Sequence, residues 1–274
     1  MVNWSVWPGT RFDLGEGARY VDGRVVLVDI LTGRLLELRD GGVAGLAALD
    51  CPLGAVAPVD GGWIAAAGHG IAVLTDDGVR WLAQFGSTDV MRMNDGVADP
   101  AGRFWAGSMA YDNTPGAGVL HRVDTDGSVA VAVDGLTIPN GPAFTADGAT
   151  MYLADSAVGV IHRFTVDASG TVGSRELFAR VEGTPDGMTV DDEGFVWSAI
   201  WGAGRIHRYD PDGALERVLE VPAVQPTSVC LTGSELIVTT AATGLASAGP
   251  SDGAVLRAPC AIGAPAARWA RLAR

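Results

Sequence analysis

One short phrase, Gly-x-apolar-x-x, returns six times along this chain, and that repetition restricts the fold more than any other feature of the sequence. The copies begin at Gly33, Gly70, Gly118, Gly159, Gly204 and Gly253, roughly 37 to 49 residues apart. Ahead of each lies a second apolar run: Val25 to Asp29, Trp63 to Ala67, Arg103 to Ser108, Met151 to Ser156, Phe195 to Ile200 and Glu235 to Thr239. The runs are short, rich in Val, Ile, Trp and Tyr, and bounded by Gly, Asp and Pro, which is the pattern of strands. Turns such as Asp126-Gly127, Asp167 to Gly170 and Asp212-Gly213 suit tight hairpins, because Gly accepts positive φ. No stretch carries the 3.6-residue period of an amphipathic helix. Six units, each with room for four strands, predict an all-β, six-bladed β-propeller occupying residues 1–274 as one domain. Asn3 to Trp7 is expected to close the ring against the last blade.

In such a ring the first strand of each unit lines a central channel, and the residue just ahead of it lies at the channel mouth. Four units put an oxygen-bearing side chain there: Glu16 before Gly17, the Asn94-Asp95 pair before Gly96, Asn140 before Gly141, and Asp186 before Gly187. The other two units read Gly54-Ala55 and Thr227-Ser228. Glu16, Asn140 and Asp186 together make an all-oxygen set suited to a hard divalent cation such as Ca²⁺ or Mg²⁺, with Mn²⁺, Fe²⁺ or Zn²⁺ also acceptable. Two carboxylates near one axis raise each other's pKa unless a cation offsets them. Arg92, between Met91 and Met93, is placed to donate to hydroxyl or carboxylate oxygens of a ligand; the alternative is an ion pair with Asp95 or Asp99.

Other signals point away from the channel. His121, His162 and His207 share one position in the repeated phrase, which belongs to the third strand of a blade, so they read as blade-surface residues that cannot converge. Trp63, Trp105 and Trp197 fall in strand runs and read as inter-blade packing. There is no Gly-x-Ser-x-Gly elbow, P-loop or dinucleotide fingerprint, which disfavours serine-hydrolase and nucleotide chemistry.

Hydrophobic residues make up 48% of the 274 and charged residues 19%, enough for a sizeable core. The formal net charge of −13 argues against nucleic acid, whose phosphates need a basic surface. No basic-then-apolar leader opens the sequence, and no apolar run approaches the ~18 residues of a membrane span. Cys51, Cys230 and Cys260 are scattered and odd in number, and read as small core residues of a cytoplasmic protein. The oligomeric state is left open.

The phrase running from Arg92-Met93-Asn94-Asp95-Gly96 through Asp99-Pro100-Ala101-Gly102 to Gly107-Ser108-Met109, together with Pro185-Asp186-Gly187-Met188, resembles the senescence-marker-protein (regucalcin)/gluconolactonase/luciferin-regenerating family. The likeness extends from Gly15-Glu16 to Gly253-Ala254-Val255. It implies a six-bladed propeller with one divalent metal in the channel, held by Glu16, Asn140 and Asp186, and a substrate-binding Arg and Asn at Arg92 and Asn94. Two departures bear on specificity. Glu16 is followed by Gly17-Ala18-Arg19 in place of the family's Ser-Pro-x-Trp, and Tyr111-Asp112 stands where acidic residues are frequent and one can contact substrate. The expected activity is metal-dependent hydrolysis of a sugar lactone to the aldonic acid. Asp186 would activate water as a general base, and Arg92, Asn94 and Asp112 would fix the sugar hydroxyls. The alternatives are another ester or phosphotriester hydrolase using the same cation, and a non-catalytic calcium- or ligand-binding propeller.

Overall fold

Each repeat folds into one sheet of four antiparallel strands, and the six sheets close into a ring: a six-bladed β-propeller. The computed structural model describes residues 2–273, among which there are 24 strands and no helix. The inner strands, in chain order, are Gly15–Val21, Leu53–Val59, Met91–Ala98, Pro139–Phe144, Thr184–Val190 and Pro226–Leu231. The apolar runs read from the sequence become the second strands, and the repeated Gly-x-apolar phrase opens the third. The sixth sheet takes its outer strand from the other end of the chain. Ser5 and Val6 pair with Arg257 and Leu256, hydrogen-bonding the first and last turns of the ring together.

The core is not one mass but six apolar clusters, each filling the gap between two successive blades. Val28, Leu35 and Val56 join the first blade to the second; Trp105, Leu120 and Leu153 join the third to the fourth. Trp197, Val229 and Val238 join the fifth to the sixth. Both faces of every blade are therefore covered, which is why second strands such as Arg24–Asp29, Gly62–Ala67 and Glu235–Thr240 read as nearly continuous apolar runs without clean alternation. Trp105 and Trp197 are fully buried in these gaps, as inter-blade packing requires, and Trp63 is partly buried in the first.

The histidines differ from the surface placement expected for them. His121 and His207 are 5% and 4% exposed. The His121 ring stacks on Phe85 of the preceding blade at 3.8 Å, and His207 Nδ1 lies 2.9 Å from the Tyr209 hydroxyl. They sit on the third strand of their blades, off the axis, and are covered by neighbouring side chains. Burial pushes His121 down to about 4, so it is neutral, and its contact with Ser108 Oγ at 3.1 Å is sealed inside the sheet.

Buried aspartates lock the blades at their corners. Asp191 accepts from the indole Nε1 of Trp197 at 2.8 Å, from Arg208 Nη2 at 2.6 Å, and from the backbone amides of Glu193 and Phe195. Asp99 repeats the device with Trp105, Arg103 and the amides of Ala101 and Arg103. One carboxylate thus ties an acidic turn, a core indole and a neighbouring strand. After the last strand, residues 260–273 cross the face where the inner strands end, donating amides to carbonyls of the first, second and third blades. A cavity of about 90 Å³ remains beneath this crossing, lined by Arg19, Phe144, Met188 and Cys230.

Asp191→Ala removes the partner of a buried guanidinium and leaves the Trp197 N–H without an acceptor. It should cost roughly 3–5 kcal/mol, read as a lowered midpoint in urea unfolding.

Candidate functional site

Every inner strand carries a bulge at the same place, and that irregularity builds the site. Glu16 pairs with Val28 and Arg19 with Val26, so the inner strand holds one residue more than its partner across this interval. The same extra residue occurs between Met93 and Gly96, Asn140 and Ala143, and Pro185 and Met188, and in the two uncharged slots between Leu53 and Ala55 and between Pro226 and Ser228. A bulge breaks the strict in-out alternation and re-aims a side chain. The slot residues therefore sit inside the inner strands, not ahead of them as the repeat pattern suggested. Gly141 shows why a glycine follows: its φ is +53°, and an added Cβ would stand 2.7 Å from the amide nitrogen of Met188 on the next blade.

The bulges bring Glu16, Asn94, Asn140 and Asp186 together, all 4–6% exposed. Glu16 and Asp186 face each other within hydrogen-bonding reach. Each carboxyl accepts from the amide of the glycine that follows, Gly17 at 2.9 Å and Gly187 at 3.0 Å. Burial raises both well above the usual carboxylate range; Asp186 then raises Glu16, and the nearby Asp95 raises both.

The amides are oriented by hydrogen-bond logic. Ser156 Oγ lies 2.6 Å from the Pro185 carbonyl, which can only accept, so the hydroxyl donates there. It must then accept from Asn140 Nδ2 at 3.1 Å, which turns Asn140 Oδ1 the other way, toward Asn94. Asn94 Nδ2 donates to Asn140 Oδ1 and to the Pro139 carbonyl, and Asn94 Oδ1 accepts from Arg92 Nη1 at 2.8 Å.

Arg92 does not form the ion pair that was its alternative. Arg19 takes Asp95 at 2.9 Å and Arg103 takes Asp99 at 2.6 Å. Burial lowers the Arg92 pKa, opposed by Tyr111, Glu16 and Asp186. Its Nη1 also donates to the Met93 carbonyl, while among the described residues Nε and Nη2 have no protein acceptor. Asp112 is not brought into the cluster. It is exposed in the loop after Phe104–Ala110 and accepts from the Thr114 amide at 3.0 Å and hydroxyl at 2.7 Å. Tyr111, beside it, is the residue near Arg92.

Asp95 and Arg19 carry more of the site than the sequence suggested. Asp95 bonds Arg19 and Gly96 through Oδ1 and the Gly141 amide through Oδ2, spanning three blades. A charge inside the first inner strand was the signal for Arg19. Among the described residues no three His, Cys, Asp or Glu side chains form a metal-binding cluster, since this group has two carboxyls and an amide. The donor chemistry still fits a hard cation, because two buried carboxyls and one oriented amide oxygen are oxygen donors with charge to be offset.

The sequence matches the profile of the SMP-30/gluconolactonase/LRE-like region over residues 14–242. The chain belongs to that family. It is 35% identical to a pentonolactonase of Haloferax volcanii, covering 89% of this chain and 87% of that protein. It is 37% identical to a 6-deoxy-6-sulfogluconolactonase of Pseudomonas putida, covering 76% and 75%. The crystal structure of a regucalcin from Agrobacterium tumefaciens, described as a calcium-binding protein, superposes with a TM-score of 0.89 at 30% identity over 100% of this chain and 98% of that one. Family membership thus accords with the fold.

The raised pKa values carry a sign that can be measured. A carboxyl whose folded pKa exceeds its unfolded value contributes stability at low pH that is lost as pH rises through the folded pKa. In chelator, Glu16→Gln should therefore have a higher Tm than wild type at neutral pH, and the gap should close as pH falls below the ordinary values of 4.5 and 3.8. Thermal scans of both proteins from pH 4 to 8 check it.

Proposed function

We propose that this chain is a metal-dependent lactonase that hydrolyses an aldonolactone to its aldonic acid, with Glu16, Asn140 and Asp186 holding one divalent cation. The observation that carries the reading is the pair of buried carboxyls, Glu16 and Asp186, gathered with the hydrogen-bonded Arg92–Asn94–Asn140 group. The two lactonase relatives support the same substrate class, a cyclic ester of a sugar acid.

A cation bound there supplies Lewis-acid polarisation of the lactone carbonyl and charge to offset the oxyanion. The chain's own residues do the rest. Asp186 takes a proton from the attacking water as its oxygen bonds to the carbonyl carbon. The ring C–O bond then breaks, and the ring oxygen leaves as a hydroxyl by taking back the proton that Asp186 accepted, which restores the carboxylate. Arg92 donates through Nε and Nη2 to hydroxyls of the sugar, and Asn94, locked by Pro139 and Asn140, holds Arg92 in place. Asp112 reaches substrate only if its loop lets go of Thr114, so it is the weakest member of the expected set. The cation is Ca²⁺, or Zn²⁺, Mn²⁺, Mg²⁺ or Fe²⁺, all compatible with two carboxyls and an amide. Three unpaired thiols accord with a reducing cytoplasm.

The calcium-binding description of the Agrobacterium regucalcin favours a second reading, a binding propeller without turnover. Acid release from a panel of aldonolactones, with chelated protein and each metal restored in turn, separates the two. Metal-dependent release is expected on at least one lactone, and none on any would leave only the binding reading. Asp186→Asn keeps an oxygen donor but cannot accept the proton. At saturating metal its kcat should fall by roughly 10²–10⁴-fold. A rate near wild type would remove Asp186 from the proton transfer.

A further inference from the structure

The sixth blade has no charged residue in its slot, yet it reaches the first blade through three hydroxyls that are 0% exposed: Thr227, Ser228 and Thr239. Their donor directions follow by elimination. Thr227 Oγ1 lies 2.5 Å from the Gly15 carbonyl, which can only accept, so Thr227 spends its one proton there. Thr239, 2.7 Å from Thr227, must donate to it. Ser228, 2.5 Å from Thr239, must donate to Thr239 in turn. The free lone pair of Ser228 accepts from the Ala18 amide at 3.0 Å. The chain therefore runs in one direction, from the Ala18 N–H through Ser228, Thr239 and Thr227 to the Gly15 carbonyl.

Its two ends bracket Glu16 and Gly17, the bulged pair that aims a carboxyl into the channel. Gly17, at φ +58°, gives its amide to Glu16 Oε2, so the peptide plane between them sets where the carboxyl sits. We propose that the Ser228–Thr239–Thr227 hydroxyl chain is the positioning element for Glu16, fixing the bulge at both ends. The inference rests on Glu16 as a cation-holding residue, as in the function proposed above. It adds residues of a blade that supplies no ligand of its own. Polar partners that orient a metal-holding side chain typically cost 10–100-fold in affinity when removed.

Ser228→Ala deletes the acceptor of the Ala18 amide, and Thr227→Val deletes the donor to Gly15. Thr240→Val is the control: Thr240 is equally buried, but its hydroxyl goes to the carbonyls of Ser251 and Ala254 in its own blade. Calorimetric titration of metal-free protein with Mn²⁺ should give a Kd about 10-fold weaker or more for Ser228→Ala and Thr227→Val. Thr227→Ser, which keeps the donor, should restore it, and Thr240→Val should lower Tm while leaving Kd within about 2-fold of wild type. Amide hydrogen exchange at Ala18 should quicken in Ser228→Ala with or without Mn²⁺. An unchanged Kd in both deletion variants, or an equal loss in Thr240→Val, overturns the proposal. If wild type itself takes up no Mn²⁺, the metal reading fails separately, and the Ala18 exchange decides the clamp: faster exchange in Ser228→Ala upholds it, and unchanged exchange overturns it.

Discussion

Crowding at the axis is the constraint on which the rest of this structure depends. Six inner strands meet so closely that side chains cannot be tolerated at every position. An added Cβ at Gly187 would stand 2.7 Å from Ser228 Cβ and 2.8 Å from the Thr227 carbonyl. The strands solve this with a bulge each and, in five of the six blades, a glycine within the bulge or at its end. Glu16, Asn140 and Asp186 each directly precede such a glycine, and Asn94 lies two residues ahead of Gly96. Convergence of Glu16, Asn94, Asn140 and Asp186 is thus a by-product of packing. Their chemistry is what selection of residue type adds to an inevitable geometry.

The fold was legible because repetition is a one-dimensional signal. Six copies of a Gly-x-apolar phrase, each preceded by an apolar run, are visible without any knowledge of which strand touches which. The slot was legible for the same reason, since Asp186-Gly187 and Asn140-Gly141 announce themselves by position in the unit. Blade-to-blade contacts were not, because they join residues as far apart as Thr227 and Gly15. Nothing local marks Ser156 as the group that orients Asn140, or Asp95 as a bridge between Arg19 and Gly141. The histidines show the same limit from the other side. Their shared register correctly placed them off the axis, but whether a blade face is solvent or interface depends on the next blade's side chains, and Phe85 covers His121.

Asp112 illustrates how a residue can occupy the right loop and the wrong conformation. An Asp two positions before a Thr can accept from that residue's amide and hydroxyl, and Asp112 does so with Thr114. That local pair competes with any reach toward the channel. Tyr111, the adjacent departure from the acidic pattern, stands near Arg92 in its place. A neutral aromatic beside the channel's guanidinium leaves that charge uncancelled there, where a carboxylate would have absorbed it.

Charge accounting ties these parts together. Three carboxyls, Glu16, Asp95 and Asp186, meet two guanidiniums, Arg19 and Arg92. Asp95 is fully committed to Arg19 and two amides, so it acts as a fixed negative charge that raises its neighbours. The excess falls on the Glu16–Asp186 pair, whose carboxyls are both pushed well above the ordinary range. In the function proposed above, a divalent cation on that pair would offset this negative charge and add positive charge near Arg92. A site so charged disfavours another cation and favours a ligand on which negative charge develops. That is the charge an ester carbonyl acquires when water adds to it.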